Sequence, residues 1–99
     1  MGQVEQSKLE NAFDAALALV GRLRTAGMET MEGEPAGPEL EKLEAELQRE
    51  RDNALQRGTL DREWFQKTVR WVIEWVPDDE LTLVAALGAI ARAAPPALS

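Results

Sequence analysis

Apolar residues recur at helical spacing through most of this chain, and no stretch alternates as a strand does. Leu9, Phe13, Ala16, Val20 and Leu23 mark one face, and Ala12, Leu17 and Leu19 broaden it. Ser7 followed by Glu10 has the form of a capping box, which predicts a helix from there to a C-cap at Gly27. Residues 28–37 (METMEGEPAG) have no period and are rich in Gly, Pro and Glu, so a mobile loop is expected, with Met28 and Met31 still touching the core. Pro38 suits the first turn of a second helix running to about Arg57, and Glu39 and Glu41 complement its positive end.

The second helix has a narrow seam of Leu40, Leu43 and Leu47, then Glu50 where another apolar residue would fall, then Ala54 and Leu55. Glu39 with Lys42, Lys42 with Glu46, and Glu46 with Arg49 stand at pairing distance on its outer side. Gly58 should end it, and Thr59 or Asp61 can cap a third helix, Glu63–Val76, which Pro77 terminates. Trp64, Thr68, Trp71 and Trp75 line one edge of that helix; Phe65, Val69, Val72 and Val76 lie beside them, and Ile73 widens the arc to about 200°, twice what a one-sided surface helix needs. Asp78 and Asp79 offer an N-cap for a last helix, Leu81–Ala94, in which only Thr82 and Arg92 are polar. Leu83, Leu87, Ile90 and Ala94 take one of its sides, and Leu81, Val84, Ala85 and Gly88 the other. Pro95 and Pro96 stop it before a frayed tail, 95–99.

The expectation is therefore an all-α fold: one domain over residues 1–99, a small bundle of about four helices with a long C-terminal helical hairpin. The last two helices are apolar beyond one face, which points to a homodimer. Trp64, Trp71, Trp75, Ile73, Leu83, Leu87 and Ile90 are the expected residues of the self-interface and partner interface.

Charge narrows the partners. Eighteen acidic against 11 basic side chains give a net charge of −7, which disfavours direct nucleic-acid binding and an anionic membrane surface and favours a basic protein surface. The apolar run of the last helix is too short to span a bilayer, which takes about 20 residues. The N-terminus has no basic stretch followed by an apolar one, so the chain reads as cytoplasmic.

Catalytic chemistry finds little support. The sequence has no cysteine and no histidine, which removes thiolates, sulfur ligands and the commonest general base. The acids Glu39, Glu41, Glu44, Glu46, Glu50 and Asp52 lack the histidine partners of a bundle metal site, and they read as a solvated face. Asp78, Asp79 and Glu80 read as helix caps. The hydroxyls Ser7, Thr25, Thr30, Thr59, Thr68 and Thr82 have no evident activating base. No cofactor and no metal are expected, and the chain reads as a non-enzyme.

An acidic helical chain with a charged middle helix and an Ala-rich last helix (LTLVAALGAIARAA) resembles the small antiactivators of LuxR-type quorum-sensing regulators. That resemblance covers residues 40–94 and the overall plan. It implies a homodimer that binds an acyl-homoserine-lactone-responsive transcription factor and blocks its dimerisation or DNA binding. The alternative is a structural subunit or chaperone of a larger assembly, obligately bound to its partner.

Overall fold

The computed structural model describes residues 2–94, with side chains from residue 8 onward. It holds four helices in chain order: α1 (Gly2–Ala26), α2 (Gly37–Arg57), α3 (Arg62–Trp75) and α4 (Thr82–Ala93). This is the small all-α bundle that the periodicity predicts. The length lies in the N-terminal pair, with 25 residues in α1 and 21 in α2, against 14 in α3 and 12 in α4. At 1.5 Å per residue α1 spans about 37 Å, and it sets the long axis of a 44 × 25 × 20 Å body.

The ends of the helices follow local chemistry closely. Gly27 adopts a left-handed φ of 73°, and its amide donates to the Arg24 carbonyl while the Met28 amide reaches back to Leu23 at 3.1 Å. This pair of bonds is a Schellman closure, and glycine is the residue that enters it without Cβ strain. Gly58 ends α2 in the same conformation, with φ 77° and its amide on the Ala54 carbonyl. Asp61 caps α3 by accepting from the Trp64 amide at 3.1 Å.

Two expected caps are not used. The first helix begins at Gly2, so Ser7 lies inside it rather than at its N-cap. The Asp78 and Asp79 carboxylates do not cap α4 either. They sit in a turn closed by the Glu80 amide on the Pro77 carbonyl, Leu81 takes the N-cap position without a side-chain bond, and the Thr82 hydroxyl bonds Glu80. That turn needs all of residues 77–80 before helical geometry resumes, which carries the aspartates too far from the first turn of α4. The frayed tail expected at 95–99 lies outside the described residues.

The connection 28–37 carries backbone bonds of its own. Glu29 bridges to Pro35, the Thr30 amide donates to Glu34 at 2.7 Å, and the Ala36 amide donates to Met28 at 2.9 Å. The Met31 amide donates to the carbonyl of Trp75 at 2.8 Å, which ties this connection to the C-terminal end of α3.

The core is organised around α1, which packs against both α2 and α4, while α3 approaches α4. Leu9, Phe13, Ala16 and Val20 of α1 meet Leu40, Leu43 and Leu47 of α2 and Leu83, Leu87 and Ile90 of α4, all of them buried. Val72, Trp75 and Val76 close the C-terminal end of α3 onto this core. The outer side of α1 is stitched to α2 by ions: Arg51 bonds Asp14 at 2.8 Å and lies 3.5 Å from Glu10 and 3.4 Å from Asp52. The Asp14 bond raises the guanidinium pKa above its ordinary value against partial desolvation, so Arg51 stays charged at every physiological pH.

Glu50 corrects the reading of the acidic run as solvated. Its residue is only 4% exposed, at the seam position after Leu47. Its carboxylate accepts from Arg57 at 2.8 Å and from the Asp61 backbone amide at 3.1 Å, so it braces the turn between α2 and α3. Glu50→Ala orphans that amide, and the expected loss is about 2 kcal/mol in urea unfolding. Glu44→Ala removes only a half-exposed pair with Arg24, and should cost less than about 0.5 kcal/mol.

Candidate interaction surfaces

The expected interface residues divide into three groups. Leu83, Leu87 and Ile90 are fully buried within the single chain, so they are core and not interface. α4 is apolar on both sides, and the side with the bulkier Leu and Ile turned inward because it buries more apolar area. Trp75 is also buried, at 8% exposure, and its indole N–H has no hydrogen-bond partner. Trp64 and Trp71 are half-buried, and Ile73 is 52% exposed.

Trp64 and Trp71 sit on the flank of α3 that faces α2. There Lys42, Glu46, Trp64, Lys67, Thr68 and Trp71 line an open groove of about 310 Å³. The rings are held from several directions. Trp75 meets Trp71 edge to face at 5.3 Å between centroids, and the Lys42 ammonium lies 5.1 Å from the centre of the Trp71 ring. The Trp64 indole N–H donates to Glu46 at 3.4 Å, and the same carboxylate oxygen receives Arg49. Of the pairs expected along α2, Glu46 with Arg49 forms, whereas Lys42 turns to the aromatic ring. A cation over an indole at an exposed site contributes about 0.5–1 kcal/mol, comparable with a surface ion pair.

Ile73 lies on the opposite flank of α3. With Leu81, 63% exposed, and Met31, 51% exposed, it makes up the exposed large hydrophobic side chains among the described residues. All three belong to segments that converge at the C-terminal end of α3. Ile73 is two residues before Trp75, Leu81 follows the Pro77–Glu80 turn, and the Met31 amide is bonded to the Trp75 carbonyl. Each is bracketed in sequence by exposed or half-exposed acids: Met31 by Glu29, Glu32 and Glu34, Ile73 by Glu74, and Leu81 by Asp78, Asp79 and Glu80. Three exposed apolar side chains thus lie in segments that meet near this end of α3, each with acids beside it in sequence.

Leu81 and Met31 were not among the expected interface residues. Leu81 was visible as a leucine on the second side of an already apolar helix, next to three acids. Met31 left no periodic signal, because its position depends on the long-range bond to Trp75.

Among the described residues no group of three or more acidic, histidine or cysteine side chains is placed to hold a metal ion, and no helix is long and apolar enough to cross a membrane. Family models, curated proteins and solved structures were each compared with the chain, and none matches.

Proposed function

We propose that the chain is a protein-binding regulator that captures a basic transcription factor through the Met31, Ile73 and Leu81 patch. The observation that supports this reading is that the exposed large apolar side chains among the described residues each stand next to acids in sequence, in segments that meet near one end of α3. Apolar side chains left in water at one place are a characteristic of binding surfaces, and a negative rim selects a partner whose own surface is positive. A DNA-binding regulator has such a surface. The resemblance to antiactivators narrows the class to LuxR-type, acyl-homoserine-lactone-responsive factors.

In this mechanism the free chain covers its apolar side chains by weak pairing with a second copy, weak because the two acidic rims repel each other where a basic partner would not. The regulator then displaces that copy and offers its own dimerisation or DNA-facing surface instead. Occlusion follows from position, since the acids occupy the basic surface that DNA would otherwise meet. No chemistry on the partner is needed.

The roles of the acids and the apolar side chains separate kinetically. Replacing Glu32, Asp78 and Asp79 together by their amides removes three charges from the rim while leaving the apolar side chains in place. Association with the regulator should slow about tenfold at low salt with little change in dissociation, and the difference should shrink as salt rises. Surface plasmon resonance at two ionic strengths measures this. An association rate unchanged by the triple substitution overturns the role given to the acids.

A further inference from the structure

We infer that the groove between α2 and α3 is a binding site for a small planar aromatic anion. This site is separate from the patch proposed above, lying on the other flank of α3.

Three observations carry it. The first is preorganisation: the Trp71 ring is fixed by Trp75 on its edge, and the Trp64 ring by its bond to Glu46. Both rings keep part of their surface open along a groove of about 310 Å³, with only the mobile Lys42 side chain over the Trp71 ring, and that volume is at the lower end of those that small-ligand sites occupy. The second is local charge. The chain carries 18 acids against 11 bases, yet the groove has two lysines and a single carboxylate, which is already engaged by Trp64 and Arg49. The third is the state of those lysines. Lys42 makes no ion pair among the described residues and hovers over Trp71, while Lys67 is held only by the largely exposed Glu63 at 3.1 Å. Such a surface pair contributes little, so Lys67 is available to a ligand.

A fused aromatic ring can stack on the indole faces, where aromatic pairs gain beyond their area. Its carboxylate then lies within reach of Lys42 and Lys67, and the Lys42 ammonium exchanges a weak contact with a π face for a charge-assisted hydrogen bond. A neutral ring would gain the stacking alone. A simple aliphatic anion would gain the charge contact alone.

The test uses 1-naphthoate as the probe and its neutral analogue 1-naphthalenemethanol as the comparison. Trp64 and Trp71 report directly through their indole N–H resonances in ¹⁵N-labelled protein. The expected result is a saturable shift of the Trp64 resonance by naphthoate with Kd of about 0.1–1 mM, as the efficiency of small ligands in open sites allows. The neutral analogue should bind about tenfold more weakly, and Lys42→Gln should weaken naphthoate by a similar factor. Lys8→Gln, on the exposed side of α1, should leave the affinity unchanged. Lys42 is exposed, so its variant keeps the fold, and circular dichroism checks this. Equal affinity for acid and alcohol, insensitivity to Lys42→Gln, or no saturable shift up to roughly 5 mM overturns the site. These results leave the patch variants untouched, so failure here and failure of the regulator reading are distinguishable.

Discussion

Phe13→Ala is expected to lower the stability of the fold by about 3–5 kcal/mol, the range for truncating a buried aromatic side chain. Phe13 has no exposed surface and sits on α1, the helix that α2 and α4 both pack against. Removing its ring opens a cavity where the core can least collapse, because neighbouring helices lean on that point from both sides. A domain of this size has about 5–15 kcal/mol of total stability, so the variant loses a large fraction of it. At about 4–8 °C per kcal/mol for domains of this length, the midpoint of thermal unfolding should fall by some 15–30 °C. Circular dichroism at 222 nm measures that midpoint. A fall of less than about 5 °C, corresponding to no more than about 1 kcal/mol, would mean that α1 is not the centre of the core.

Ile73→Glu combined with Leu81→Glu is expected to do the reverse, leaving the fold alone and removing binding. Both side chains are more than half exposed in the single protomer, so the substitutions bury no charge within its fold and the unfolding midpoint should stay within a few degrees. In a complex they place two carboxylates at the apolar centre of an interface, where uncompensated charge is costly. Affinity for the regulator should fall at least about a hundredfold, mainly through faster dissociation. The same pair should make the free chain monomeric in light scattering. Retained affinity, with folding intact, would show that the partner docks elsewhere on the chain.

The contrast between these two variants reflects what local sequence can and cannot encode. Helix ends at Gly27, Gly58, Asp61 and Pro77 were legible because capping is settled by a few neighbouring residues. The inward face of α1 was legible too, since Leu9, Phe13, Ala16 and Val20 repeat at helical spacing on a helix whose other side is mixed. Which helix is central was not legible, because a wheel shows that a face is apolar without showing how many neighbours share it.

Glu50 and α4 illustrate two further limits. A glutamate at a seam position between Leu47 and Ala54 looks like an interruption, and its value appears only when the left-handed turn at Gly58 brings Arg57 and the Asp61 amide back to it. In α4 both sides are apolar, so sequence alone could not choose between them. The choice of Leu83, Leu87 and Ile90 for the core left Leu81 in the open, and the bond between Met31 and Trp75 ties the exposed Met31 to the end of α3.

Sequestration is tested most directly by asking whether the chain and DNA compete for the same regulator. A LuxR-type regulator is bound to its operator DNA, and fluorescence anisotropy of labelled DNA is followed as the chain is added. The wild-type chain is expected to release the DNA stoichiometrically, and the Ile73→Glu, Leu81→Glu double variant to release none. Anisotropy that stays high or rises with a ternary complex, or release by both proteins alike, would contradict it.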